Sequence, residues 1–328
     1  MTGSVTADPI ATARKAGFLL LRGDIAAAAA LCLHMQREDA NLEAFPALVD
    51  LLCWARPRET LYPLVAALVA AGFANPRSFD LLAASAIWAG ERAAARALMD
   101  SERFLSITWL DGPDAPELPL LAKELSGDLD YYARPQGRSI RDGWRRNHLE
   151  AVDSPLLQAM LQRLRVAAEA YVEGLGDDAA HPFLRSRPAA FGLRAWSVVS
   201  GADTRHLSHL HATSWMNGVY YVAVPDAVAD AEARRGWLRV GPAAGRGFDA
   251  AAGWDEHWIR PEPGMVVMMP SHFSHETVAL GCDDRRICVA FELYPLVSSG
   301  PSQPPDPMPG TRRRFVRHRL RGSRGGGS

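Results

Sequence analysis

Cysteine is scarce: four in 328 residues. Cys32 and Cys53 fall in helical patterns, Cys288 in a strand pattern and Cys282 in a loop, so there is no disulfide framework of the kind small secreted domains need. Long apolar runs are missing as well, and none approaches the ~20 residues that cross a bilayer. The opening stretch, MTGSVTADPIATARKAGFLLLRGD, has only a short apolar patch before a charged turn, too little for a signal peptide. Together these absences predict a cytoplasmic protein without a membrane segment. No Gly-rich phosphate loop of either usual type occurs.

Net charge is nearly absent too, at −1 from 36 Lys and Arg against 37 Asp and Glu, but it is unevenly spread. The stretch TRRRFVRHRLRGSR, residues 311–324, holds seven arginines and no acid, which leaves the rest of the chain acidic. Such a block stays solvated and is a candidate polyanion contact; the plainer alternative is a tail with no binding role.

What is present divides into three parts. Residues 9–100 read as helical hairpins whose turns fall at Gly23, Pro57 and Gly90, at intervals of 34 and 33 residues. That is the period of tetratricopeptide-type helix pairs, though the full consensus is missing. Stacked pairs form a small solenoid with a concave face suited to an extended partner, while an all-helical cap without a binding role is the alternative. After FLSITWL, a strand pattern, and the turn-rich GPDAPELP, the segment DYYARPQGRSIRDGWRRNHLEAV reads as irregular. Ser154-Pro155 then opens a helix with Leu157, Met160, Leu161, Leu164, Ala168 and Tyr171 at helical spacing and Gly174 at its end. From 190 to 296, FGLRAWSVVS, GVYYVAV, GWLRVGP, GMVVMMP, ETVAL and RICVAFELY are short strands between Gly, Pro and Asp breaks, as in a sandwich or barrel. The expected divisions are 1–115 for the helical repeats, 116–297 for the barrel domain and 298–328 for a Pro-, Arg- and Gly-rich disordered tail.

The chemistry concentrates in three strands. His209 and His211, at i and i+2 on extended chain, present both imidazoles on one face, which suits one metal ion. A third histidine, His275 in PSHFSH, follows 64 residues after His211, and Arg286 lies 11 positions further on. His206, three residues before His209, belongs on the opposite face of a regular strand. His272 competes with His275. Three histidines suit zinc as well as iron, so ligand type does not choose the metal.

In order and spacing, RHLSHLHATSWMNGVYYVAVP, PEPGMVVMMPSHFSHETVAL and DDRRICVAFELYP resemble the iron(II)/2-oxoglutarate-dependent oxygenases of the double-stranded β-helix superfamily, over residues 130–296. That branch shows a His-Ile-His-Pro-like motif running into Ser-Gly-Val-Tyr-Tyr, then Pro-x-x-Gly, Phe-Pro-Ser, a distal histidine and Arg-x-Ser. Here Ala212, Asn217, Met269 and Cys288 depart from it, and none of the four is a metal ligand. His211 stands where the wider superfamily has a carboxylate, which leaves the site one negative charge short of the two-histidine-one-carboxylate triad.

The resemblance implies an α+β fold, with the helical repeats followed by a jelly-roll or cupin-like barrel and supporting helices. It implies Fe(II), 2-oxoglutarate and O2 as cofactor and cosubstrates, and hydroxylation with release of succinate and CO2 as the default outcome. The pattern Pro-Ser-x-x-x-His selects His275 over His272, so His209, His211 and His275 would hold the metal. Arg286 would clamp the far carboxylate of 2-oxoglutarate, since a guanidinium fork matches a carboxylate. Tyr221 would assist it, with Tyr220 as the alternative that strand alternation leaves open, and Trp196 and Trp215 are candidate pocket residues. The substrate, a protein or peptide recruited by the helical repeats among other options, is not legible, and its entry loops are expected around 131–148 and 225–260. One rival is a three-histidine cupin-like metalloenzyme that does not use 2-oxoglutarate; another is a non-catalytic scaffold.

Overall fold

A computed structural model describes residues 8–132, 139–242 and 255–296. The arginine block, the rest of the C-terminal tail and parts of both expected entry loops lie outside the described residues.

Six helices come first: α1 (Pro9–Leu21), α2 (Ile25–Glu38), α3 (Phe45–Ala55), α4 (Tyr62–Ala70), α5 (Pro76–Trp88) and α6 (Arg92–Leu98). α1 packs against α2 and α3, and α5 against α4 and α6, so the expected α3–α4 hairpin does not close on itself. The first and last turns run through Gly23 at φ 82° and Gly90 at φ 78°, left-handed positions that glycine adopts without strain. Capping is local: Asp24 accepts from Ala27 N–H at the start of α2, and Asn75 and Ser78 form a reciprocal capping box on α5. Most of these helices bury one stripe, for example Leu48 and Leu52 of α3 and Val65 and Leu68 of α4, whereas α5 is buried on every side from Ser78 to Ala86.

A short helix, α7 (Ser101–Phe104), leads into β1 (Ser106–Trp109), and α8 (Glu117–Leu125) follows. The stretch expected to be irregular instead holds three short strands, β2 (Asp130–Tyr132), β3 (Ile140–Arg141) and β4 (Gly143–Arg146). β3 and β4 pair with β6 and β5 far along the chain and β2 pairs with β4, so these short segments carry no periodicity that announces them. Then come α9 (Pro155–Gly174), α10 (Pro182–Arg185), β5 (Phe191–Ser200), β6 (Arg205–His209), β7 (Met216–Ala223), β8 (Leu238–Val240), β9 (His257–Ile259), β10 (Met265–Pro270), β11 (His275–Thr277) and β12 (Arg286–Pro295).

Two antiparallel sheets form from these strands. The larger has the order β1-β10-β7-β12-β5-β4-β2 and the smaller β3-β6-β11-β8-β9. This is a double-stranded β-helix, and the whole is α+β. Strand alternation assigns the faces. In the large sheet Arg194, Trp196, Val198 and Ser200 of β5 line up with Glu292, Ala290, Cys288 and Arg286 of β12, and Asn217, Val219 and Tyr221 of β7 continue those rows. The opposite face carries Tyr220, whose hydroxyl donates to Asp111, the same carboxylate that receives Arg163 from α9. One face is therefore the barrel interior and the other packs under the supporting helices.

The helical layer is joined to the barrel by buried polar and aromatic contacts. His272 Nε2 donates to Leu98 O at 3.2 Å, His181 Nε2 to Ala97 O at 2.9 Å and the Tyr171 hydroxyl to Phe104 O at 2.7 Å. Phe79 of α5 meets His272 edge-on at 5.3 Å and Phe183 at 6.3 Å. Moreover, β1 lies within the span expected to be helical repeats, yet it is an edge strand of the large sheet, registered from Ser106↔Met268 to Trp109↔Met265. The seam between the helices and the barrel therefore falls before Ser106 and not at 115.

His272 is fully buried, and burial pushes its imidazole from 6.5 down to about 3. The unfolded chain thus takes up a proton that the native state lacks as pH falls from about 6.5 toward 3. The stability linked to this residue is complete above the unfolded value and declines below it, by at most about 1.4 kcal/mol per pH unit. His272→Phe is expected to flatten the pH dependence of urea unfolding in that window; a profile as steep as the parent's would refute the assignment.

Candidate metal centre

The small sheet, through β6 and β11, brings His209, His211 and His275 together, with one ligand atom from each within 4.8 Å of the others. His209 ends β6 and pairs directly with His275 of β11. His211 lies just beyond the strand, held extended by its N–H to Ser271 O at 3.0 Å. The ring centroids stand 4.3 Å (His209 to His275), 5.2 Å (His209 to His211) and 5.1 Å (His211 to His275) apart.

Each imidazole is oriented through Nδ1. His209 donates to Leu207 O at 2.8 Å, His275 to Phe273 O at 3.1 Å, and His211 to Glu292 Oε1. Carbonyl and carboxylate oxygens only accept, so each ring presents an Nδ1 proton outward and turns its Nε2 toward the centre. His211 Nε2 and His275 Nε2 face each other at 3.3 Å. Burial, followed by neighbouring imidazoles, pushes His275 down to about 3 and His209 well below its ordinary value. Unprotonated nitrogens on one face, with the outer nitrogens tied to oxygen acceptors, fit a divalent transition metal.

Glu292 was not among the residues the sequence singled out. It is 5% exposed. Burial alone would raise its carboxyl, but His211 and Arg194 overcome that and hold it at about 2. Arg194 Nε donates to it at 3.1 Å, with a second contact through Nη2, and Nη2 also reaches Thr213 Oγ1 at 2.9 Å. A signal was available: in RICVAFELYP a lone acid sits at even spacing from Arg286, hence on the same interior face.

Arg286 is 2% exposed inside the barrel. Its Nη1 donates to Gly236 O and its Nη2 to Ser200 Oγ at 3.3 Å, while its Nε has no hydrogen-bond partner. Among the described residues no carboxylate pairs with it. Tyr221 turns inward beside it, with the guanidinium carbon 6.0 Å from the ring centroid, and burial raises its phenol so that the hydroxyl remains a donor. Arg285, the neighbour in sequence, is exposed against Trp144.

Three expectations need correction. Tyr220 does not line this pocket, because alternation turns it to the opposite face and onto Asp111. Trp215 stacks on Phe183 at 4.3 Å and lines a separate cleft of about 140 Å³ between α5 and the loop after His211, with Asn75, Phe79 and His272. His206, expected on the far face of β6, is brought to the interior by a bulge: Leu207 and Ser208 separate it from His209, whereas only Glu276 separates their partners Thr277 and His275. Its ring is 5.9 Å from that of His209, and burial together with the nearby Arg286 and His275 pushes it down to about 3. Trp196 does face the centre, stacked on His211 at 6.0 Å with Arg145 over its other side at 4.3 Å.

A three-histidine face inside a double-stranded β-helix, beside a buried guanidinium, can take a divalent metal ion and an anion together. Residues 194–292 match the family described as "Putative 2OG-Fe(II) oxygenase". The matched domain is of this 2OG-Fe(II) oxygenase type, an enzyme class whose cofactor and cosubstrates are Fe(II), 2-oxoglutarate and O2. No curated protein matches the sequence. Among solved structures it is similar to a prolyl-4-hydroxylase from Pseudomonas putida (16% identity, TM-score 0.42, 62% of this chain and 99% of that one). It is also similar to a Trichoplax adhaerens prolyl hydroxylase solved with a hypoxia-inducible-factor peptide (12%, 0.43, 63% and 92%). A third is SnoN, the 2-oxoglutarate-dependent epimerase of nogalamycin biosynthesis (14%, 0.42, 68% and 96%). No described helix is long and apolar enough to cross a membrane.

Proposed function

We propose that the protein is a hydroxylase that converts an unactivated C–H bond to C–OH, consuming O2 and 2-oxoglutarate and releasing succinate and CO2. His209, His211 and His275 are the iron ligands. The observation that carries the reading is Arg286: a buried guanidinium with an unsatisfied Nε and no acid beside it calls for an anion from outside the chain. 2-Oxoglutarate supplies one, its far carboxylate toward Arg286 and the Tyr221 hydroxyl and its keto-acid end toward the histidines.

Iron with 2-oxoglutarate and O2 provides the oxidising power when bound. The chain's own part is geometric. Leu207 O, Phe273 O and Glu292 lock the three rings in the Nε2-free tautomer, and the apolar interior around Val198, Cys288 and Tyr221 keeps water from the cosubstrate. The helical layer stands against the loop after His211, and a macromolecular substrate presented by that layer is the partner this arrangement favours. A cytoplasmic location and a polyanion contact through the arginine block complete the proposal.

Metal analysis of anaerobically purified protein, combined with succinate release from 2-oxoglutarate with and without candidate substrates, tests it. The expected result is one iron per chain and iron-dependent succinate release that a true substrate accelerates. Iron without any 2-oxoglutarate binding or turnover would favour the three-histidine metalloenzyme that does not use the cosubstrate; no metal at all would favour the scaffold.

A further inference from the structure

A face of three neutral imidazoles lacks the negative charge that a coordinating carboxylate brings to a divalent ion. Among the described residues one acid touches a ligand ring. Glu292 accepts the Nδ1 proton of His211, while the other two rings lean on neutral carbonyls. Glu276, next to His275 in sequence, is turned to Arg239 at 3.1 Å.

Resting on the metal centre proposed above, we infer that Glu292 and His211 act as one anionic ligand, with Glu292 as a positioning residue that supplies the missing charge through the imidazole. A carboxylate accepting from Nδ1 draws that proton toward itself and raises the basicity of Nε2 on the far side of the ring. The ring's orientation is fixed in the same contact. Arg194 clamps the other carboxylate oxygen and is itself tied to Thr213, so Glu292 cannot swing away. Arg194 offsets part of the charge, but it stands beyond the carboxylate and 22% exposed, where water screens it. Trp196, flat against His211, and the Cys288 and Ala290 row keep the pair dry.

The full-length protein is titrated anaerobically with Co(II), read by its visible d–d bands, and with Fe(II), read by retained metal. Glu292→Gln keeps the size and a hydrogen-bond acceptor but removes the charge. It is expected to lower affinity by roughly 10- to 100-fold and to shift the Co(II) bands at saturation, which a merely structural role would not do. His211→Asp alone places two carboxylates side by side and should bind worse than His211→Asp/Glu292→Gln, in which one direct carboxylate replaces the pair and affinity recovers. Glu292→Gln with parental affinity and bands, or a double variant no better than His211→Asp, overturns the inference while leaving the metal centre intact. An unaltered protein that takes up neither metal overturns both. If Glu292→Gln does not fold, proton NMR of the Zn(II)-loaded unaltered protein decides: a far-downfield Nδ1 proton on His211 is expected, and an ordinary shift equal to those of His209 and His275 refutes it.

Discussion

Arg286→Ala should lose 2-oxoglutarate while keeping its metal. The guanidinium is buried with an unpaired Nε, so its contact with the cosubstrate is charge-assisted and shielded from water. Removing such a contact costs on the order of 2–4 kcal/mol, roughly 30- to 1000-fold in affinity. Calorimetry on the Co(II)-loaded protein under anaerobic conditions measures it directly. Arg285→Ala serves as the control, since that side chain is exposed and should bind 2-oxoglutarate as the parent does. Unchanged binding in Arg286→Ala would remove 2-oxoglutarate from that end of the barrel, whatever the metal content.

Replacing any one of His209, His211 or His275 with alanine should abolish iron retention and turnover together. Two imidazoles hold a divalent ion far more weakly than three. The informative comparison is His206→Ala. That ring faces the same interior, 5.9 Å from His209, but lies outside the cluster of convergent ligand atoms. It should retain full metal. Elemental analysis of the four variants settles the ligand set: full occupancy in His275→Ala, or loss in His206→Ala, would redraw it.

Those two outcomes also measure what could be read from the chain. The histidine pair was legible from its i, i+2 spacing on extended chain, whereas the choice of His275 over His272 and of Tyr221 over Tyr220 came from the family resemblance, because strand alternation alone leaves either tyrosine inside. The α9 helix was legible from its stripe and its Ser154-Pro155 start. His206 was misread because a bulge adds one residue to β6, and a bulge leaves no mark in a sequence that alternates weakly there. The strands β3 and β4 were missed because they pair with residues some 50 to 70 positions away, and β2 because it is a three-residue edge strand on β4 with little pattern of its own. Glu292 was passed over for a different reason. A solitary acid in an apolar strand has no meaning until the partner strand shows what it faces.

The edge strand β1 bears on how this protein can be divided. β10, Met265–Pro270, is buried along its whole length, and its two sides are taken by β7 and β1. A fragment cut at the expected boundary of 115 would strip β1 away and leave MVVMMP with a free row of backbone donors and acceptors, flanked by no charge and stopped only by its final proline. Such an edge is a template for pairing with another copy. Fragments that begin before Ser106 should stay dispersed along this edge, and fragments that begin after Trp109 should self-associate through it, so the four residues that leave the helical layer act as the sheet's guard against aggregation.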